Sequence, residues 1–278
     1  MNISLHCKEK DPIVSVLREM VKANIVRVPD ARLQPLTLIE FSENSQTAKY
    51  RGKVEYILSK PETFSLDSDD FEETGMPTLR GVPSRSVNVD LGLHILAGFL
   101  KGFKVDISGL KGHFSQASQL SFCFSSVKRI WIDNFLLGKH LVSQSLSKEN
   151  PVLATLFSSK KSKLLLIDSI ITSNEFDVML TEFKDRTTNF ELSPLLKELA
   201  SLNAGIKAKK IRDNTISFEG EAPLSFAFTC LELVLDESGR IVALPPVRKQ
   251  LPTVFGKQLQ EMDKTLLSET PQLISVSE

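Results

Sequence analysis

Apolar positions recur at helical spacing across residues 11–22, where Ile13, Val16, Leu17, Met20 and Val21 share one stripe behind Asp11 as N-cap and Pro12 at the first helical position. This predicts an amphipathic helix. Residues 24–29 then predict a short strand stopped by proline, residues 36–41 a second apolar strand, and residues 50–58, alternating loosely around Val54, Tyr56 and Leu58, a third. Residues 62–73 carry acids with no base among them and run into Gly75, Met76 and Pro77, the pattern of a solvated loop. Residues 89–103 are apolar nearly all round, with Gly92, Gly98 and Gly102 set among Leu91, Leu93, Ile95, Leu96, Phe99 and Leu100. That composition predicts a buried helix whose glycines permit close packing.

Strict alternation in residues 120–125 predicts a strand, and Asn150 and Pro151 open a short helix reaching Phe157. Residues 164–171, a turn at Thr172, Ser173 and Asn174, and the alternating residues 175–180 predict a β-hairpin. Ser193 and Pro194 open a helix carrying Leu195, Leu196 and Leu199, and residues 207–212 form a basic run. The last sheet elements are residues 216–219 and 224–235, where Leu224, Phe226 and Phe228 point one way and Ser225, Ala227 and Thr229 the other. After Gly239 and Arg240 the pattern changes: Pro245, Pro246, Arg248, Lys249 and Pro252 make an exposed connector, and Phe255, Leu259, Met262 and Leu266 then fall at helical spacing. A body of residues 1–244 and an appended segment of residues 245–278 follow. A helix leading into strands, without regular helix–strand alternation, argues an α+β fold: a twisted, mostly antiparallel central sheet flanked by helices.

Charge and composition narrow the function classes. The 278 residues are 41% hydrophobic and 24% charged, with 34 basic against 34 acidic side chains, so no bulk positive field is present to hold nucleic acid. No run approaches the roughly 18 apolar residues of a membrane helix, and the N-terminus lacks the layout of a secretory signal, which predicts a cytosolic chain. Strands that span membranes need only about 9–11 residues and leave a weak alternating signal, so a membrane role stays open. Cys7, Cys123 and Cys230 form no C-x-x-C pair, as expected of a reducing compartment.

Catalytic signals are lacking. His6, His94, His113 and His140 share no metal-ligand spacing, and no nucleophile elbow, P-loop or dinucleotide fingerprint occurs. Gly109 to His113 reads as a plain turn, and Asp168, inside an apolar strand, as a solvated or paired carboxylate. No catalytic residue, metal site or freely bound cofactor is expected; an enzyme would need a site assembled from scattered groups such as Asp90, His113 and Asp168. Cys7 precedes a helix N-terminus beside Lys8 and Lys10, where dipole and ammonium charges favour its thiolate.

Together the segments C-K-E-K-D-P-I-V-S-V-L-R, N-I-V-R-V-P, Q-P-L-T-L-I, V-D-L-G-L-H-I-L, S-F-C-F-S, N-P-V-L-A-T-L-F, L-L-L-I-D-S-I-I-T-S-N-E-F-D-V and I-S-F-E-G-E-A-P-L-S-F-A-F-T-C-L-E-L resemble, in order and spacing, the gasdermins, most closely the bacterial ones. The resemblance implies a gasdermin N-terminal-domain-like fold and a cytoplasmic pore-former held inactive by its C-terminal segment. Proteolysis would release it to oligomerise into a β-barrel in the cell inner membrane, causing cell death in antiphage defence. It also implies palmitate on Cys7. The expected partners are a caspase-like or trypsin-like protease, membrane lipids and, after activation, further copies of the chain. Arg248 and Lys249 suit a trypsin-like cut and Asp263 an aspartate-specific one, with the site near Phe255; Phe255, Leu259, Met262 and Leu266 form the inhibitory stripe. Lys160, Lys161 and Lys163, and Lys207, Lys209 and Lys210, are expected to meet anionic lipid, at about 1 kcal/mol each. The alternative is a non-catalytic lipid-binding or protein-interaction domain that never inserts, which has no reason to carry a cleavable tail.

Overall fold

The computed structural model describes residues 12–42, 47–83, 89–105, 112, 114, 117–147, 150, 153, 162–183, 193–201, 205–246, 267 and 273–277. Helix α1 (Pro12–Val21) buries Val14, Leu17 and Val21. Its stripe is rotated from the expected one: Val14 replaces Val16 as a fully buried position, and Met20 is left 40% exposed. Strand β1 (Asn24–Asp30) runs through Pro29, where the proline was expected to stop it. The residue sits between paired positions Ile25 and Asp30, where the register shifts and no ladder N–H is required.

Strands β2 (Thr37–Ser42) and β3 (Thr47–Lys53) pair antiparallel. The expected strand over residues 50–58 ends at Lys53, because Val54 and Ile57 are three apart and both bury in a 3₁₀ turn, Val54–Ile57. The acidic residues 62–73 are also more structured than a solvated loop. Two 3₁₀ turns, Pro61–Thr63 and Ser68–Asp70, lead into strand β4 (Phe71–Gly75), whose Glu73 meets Lys128 at 2.7 Å. The acids stay in solvent on an edge while the backbone pairs.

Strand β5 (Leu79–Pro83) is followed by the expected buried helix, α2 (Val89–Gly102). A methyl group at Gly98 would lie 2.2 Å from the Arg27 carbonyl oxygen, and one at Gly102 2.5 Å from that of Pro29, so these glycines set the approach of α2 to β1. Strands β6 (Ala117–Ser125) and β7 (Lys128–Ile132) precede helix α3 (Asn134–Leu141), which periodicity had not marked; Asp133 caps it, accepting from the N–H groups of Phe135 and Leu136 at 2.9 Å. Of the helix expected from Asn150 to Phe157, only Asn150 and Leu153 fall among the described residues.

Strand β8 (Ser162–Phe183) is continuous over 22 residues, so the expected hairpin is not formed. A tight hairpin turn needs residues at positive φ, and none of Thr172, Ser173 and Asn174 has one. The Ser173 and Asn174 side chains bond to flanking backbone instead: Ser173 Oγ lies 2.8 Å from the carbonyl oxygens of Ser125 and Glu175, and Asn174 donates to Gly220 O at 3.2 Å. Helix α4 (Ser193–Ser201) and strand β9 (Ile206–Arg212) lead to strand β10 (Thr215–Glu232). β10 joins the two expected final strands into one, with a bulge between Glu219 and Leu224. Strands β11 (Val234–Leu235) and β12 (Ile241–Ala243) form a small separate sheet, and β13 (Ser275–Ser277) returns from the C-terminus.

The eleven described strands of the main sheet are organised around β8. β10 lines one side of it, while β2, β7 and β6 follow one another along the other. In the first half of β8, residues 165–171 are buried on both faces, which accounts for the apolar run there. Among the described strands, all pairs of the main sheet are antiparallel except that of β13 with β3, and the bridge between Val26 and Ile274 beside it is parallel too. The resulting fold is α+β with a large, mostly antiparallel sheet and few helices.

Candidate functional site

Residues 173–183 of β8 lie in a sheet that is apolar on one face and polar on the other, in register across four strands. One row contains Phe124, Phe176, Phe218 and Ala208; the next but one contains Phe122, Val178 and Ile216 and ends at the edge strand on Lys210, an exposed charge on the otherwise apolar face. Between and beside them run Ser125, Glu175, Glu219 and Lys207, then Cys123, Asp177, Ser217 and Lys209, then Ser121, Met179, Thr215 and Arg212. Since side chains alternate along every strand, the registers alone place the aromatic rows on one face. Phe122, Phe124, Phe176, Val178, Ile216 and Phe218 are each at most 1% exposed.

Helices cover that aromatic face. Phe99 of α2 sits with its ring centroid 5.0 Å from Phe176, 5.2 Å from Phe124 and 6.0 Å from Phe226. Leu17 and Val21 of α1 and Leu195 and Leu199 of α4 complete the cover. A sheet of this kind has the pattern of a membrane barrel wall, with lipid-facing and lumen-facing side chains alternating. Here its apolar face is closed off by helices and its polar face is turned outward.

The described C-terminal residues close the opposite end of the sheet. Main-chain bonds join Ile274 to β1, with its N–H donating to Ile25 O and its carbonyl accepting from Arg27 N–H, both at 2.8 Å. The next residues, β13, pair in parallel with Thr47, Ala48 and Lys49 of β3. The path β1-β10-β8-β2-β3-β13 therefore returns to β1 through Ile274. Leu267 and Ile274 are 1% exposed and pack with Val26, Ile39, Phe41, Leu165, Ile170 and Phe228 in the core enclosed by this ring. Leu267 N–H donates to Asn24 Oδ1 at 2.8 Å. At the rim, Arg32 lies over the Tyr50 ring, 5.3 Å from its centroid, and bonds to Asp30. Burial raises the Asp30 carboxyl, but the Arg32 bonds outweigh it and hold the group below its ordinary range.

Residues 26–240 match the family model described as the Bacterial Gasdermin Family. The chain belongs to the bacterial gasdermins. It is 24% identical over 225 residues to gasdermin bGSDM of a Vitiosangium species, covering 80% of this chain and 81% of that one. Gasdermin bGSDM of Lysobacter enzymogenes is 23% identical over 228 residues, covering 82% of each. The structure of a bacterial gasdermin from Bradyrhizobium tropiciagri superposes with a TM-score of 0.54 at 15% identity, over 86% of this chain and 92% of that one, and shares the fold. Gasdermins are pore-forming rather than catalytic proteins, and the amphipathic sheet of this gasdermin has the matching chemistry.

Many expected site residues of this gasdermin lie outside the described residues: Cys7, Lys160, Lys161, Arg248, Lys249, Phe255, Leu259, Met262, Asp263 and Leu266, together with His113. Asp90 falls within α2, and its side chain is likewise outside the description. Lys163 is at the start of β8, half-buried and 3.3 Å from Glu232, whereas Lys207, Lys209 and Lys210 register with β10 opposite the far half of β8. The two basic groups are thus not brought together. Asp168 is buried; burial pushes its carboxyl up, against a 2.8 Å bond from Thr229 Oγ1 and the charge of Arg129. It joins no cluster of three potential metal ligands among the described residues.

Sequence reasoning missed the tail strand. Its signal was present, since Ile274 and Val276 alternate with Ser275 and Ser277 behind Leu273. A five-residue alternation at a chain end is short for a strand assignment by itself.

Proposed function

We propose that this gasdermin is an autoinhibited pore-former activated by proteolytic loss of its C-terminal segment. The observation that carries the reading is the closure of the β1–β3 gap by Ile274 and β13, in a chain whose β6, β8, β9 and β10 form a sheet apolar on one face. The terminal strand makes a short contact, and its attachment to the body supplies the effective concentration that keeps it seated. Cleavage between the body and Leu267 removes that advantage. The ring core then loses Leu267 and Ile274, each contributing about 1.5–3 kcal/mol as a buried aliphatic side chain.

The freed body moves α1, α2 and α4 off the aromatic face and inserts that face into lipid as part of an oligomeric barrel, in the cell inner membrane. Palmitate on Cys7 supplies an anchor, adding about 0.8 kcal/mol per buried methylene. The biological outcome is death of an infected cell, limiting phage spread. The protease is trypsin-like at Arg248 or Lys249, or aspartate-specific at Asp263. Intact-mass measurement of protein from its native cytosol tests the lipid: a palmitate-sized increment lost in Cys7→Ala is expected, and an unmodified Cys7 contradicts it. Vesicle leakage before and after cutting the connector tests the switch. A cut chain that binds vesicles without leakage would instead be a lipid-binding domain.

A further inference from the structure

Opposite ends of one strand path carry opposite charge. In the path β9-β10-β8-β7-β4, β9 pairs with β10 alone and β4 with β7 alone among the described strands, so each leaves one edge of backbone groups unpaired. β9 presents Lys207, Lys209, Lys210 and Arg212, all exposed. β4 and the turn before it present Asp67, Asp69, Glu72 and Glu73, also exposed. Lys210 is held by Asp213 at 2.8 Å and Glu73 by Lys128 at 2.7 Å, while Lys207, Lys209, Arg212 and Glu72 make no ion pair among the described residues.

Each charged run wraps its edge. By register, Lys207, Lys209 and Arg212 share the face of Glu219, Ser217 and Thr215, and Lys210 lies on the face of Ile216. Glu72 and Glu73, being successive, also point to opposite faces. A flat bilayer would meet only one face of such an edge. An adjoining strand, flanked by its own side chains on both faces, meets both.

We propose that the basic edge at β9 docks against the acidic edge at β4 of a second copy of this chain. The inference rests on the pore-forming reading and supplies a contact between its subunits. Edge lysines repel a like edge, so two copies cannot meet β9 to β9; they meet head to tail, the heterologous arrangement that generates rings. The levels of the two runs agree with this. Glu72 and Glu73 align through β7 with Ser169 and Ile170, and Lys207, Lys209 and Lys210 through β10 with Glu175, Asp177 and Val178. Neighbouring copies are therefore displaced along the strands by about 16–30 Å at ~3.3 Å per residue, and closing a sheet into a barrel requires stagger of this kind. Exposed ion pairs are individually weak and salt-screened, so the contact selects partner and register without assembling the resting chain.

Two measurements on the full chain, carrying an inserted protease site after Pro246 and cut on vesicles of zwitterionic phosphatidylcholine, test this. Carbodiimide coupling of a mixture of ¹⁵N-labelled and unlabelled wild-type copies should give inter-copy links from Lys207, Lys209 or Lys210 to Asp69, Glu72 or Glu73, whether or not the vesicles leak. The variants K207E/K209E/R212E and D69K/E72K/E73K, each checked for a wild-type melting curve, should lose about tenfold or more in leakage alone and recover when mixed in equal amounts, because only the mixture alternates opposite charges. Links absent from these residues, or a mixture no better than its components, overturns the proposal. A β9 variant that fails only on anionic vesicles and is not rescued assigns β9 to lipid and overturns it as well. Silence of the cut wild type counts against the pore reading, leaving the link map to decide the contact.

Discussion

Asn24 couples the C-terminal segment to the longest strand pair: its Oδ1 accepts from Leu267 N–H at 2.8 Å while its Nδ2 donates to Phe228 O at 3.1 Å. The side chain is 4% exposed, so both bonds are made in a buried setting. Asn24→Ala leaves a buried donor and a buried acceptor unmatched, at about 1–3 kcal/mol each. Faster hydrogen exchange at Leu267 and Ile274, with raised leakage from uncut protein, is expected. Unchanged exchange at both amides would separate Asn24 from the tail.

Phe99 belongs to the cover and Phe176 to the sheet, so their loss should diverge. Phe99→Ala removes a ring touching Phe124, Phe176 and Phe226 and should destabilise the resting protein by about 3–5 kcal/mol, with leakage after cutting retained. Phe176→Asp places a charge on the face that the proposed barrel turns to lipid and should abolish leakage by the cut protein. Equal effects of the two variants on leakage would deny the division between cover and wall.

Gly98 fixes the seat of α2. Gly98→Ala puts a methyl group 2.2 Å from the Arg27 carbonyl oxygen, which a backbone-to-backbone contact cannot absorb by rotamer change. A cost of about 1–3 kcal/mol is expected, read as a lowered Tm. Gly138, whose Cβ would meet nothing within 4 Å, is the control, and Gly138→Ala should not lower Tm.

Asp168 gives stability a pH dependence. Burial raises its folded-state pKa above the unfolded value, against bonds from Thr229 and Asn134 and the charge of Arg129; Cys230, buried nearby, has its thiol pushed up in turn. A raised carboxyl contributes most favourably at pH below the unfolded pKa, and that contribution is lost as pH climbs toward the folded value. The Tm of Asp168→Asn should therefore gain on wild type as pH rises from 4 to 7. A difference independent of pH would place the stability effect elsewhere.

Local pattern made α2, α4, β2 and β6 readable, since their apolar spacing matches their buried faces. It failed where tertiary context decided the outcome. Thr172, Ser173 and Asn174 have turn chemistry, yet β6 and β10 offer the Ser173 and Asn174 side chains partners within a continuous sheet. Glu72 and Glu73 look like loop residues because charge says nothing about the backbone bonds of an edge strand. Of the site, the alternating half of β8 was legible at residues 175–180, whereas its partners on β6, β9 and β10 appear only once register is known. That the chain's last described residues enter the sheet depends on Asn24, Ile25 and Thr47, more than two hundred residues away in sequence.

The central claim is that the C-terminal strand holds a pore-former closed. Dye release from vesicles of bacterial inner-membrane lipid, by full-length protein with a protease site inserted after Pro246, tests it most directly. Uncut protein should be silent, and cutting should bring leakage together with membrane-bound oligomers. Protein that is cut, loses the segment ending in Ile274 and β13, and stays monomeric and silent would contradict the account.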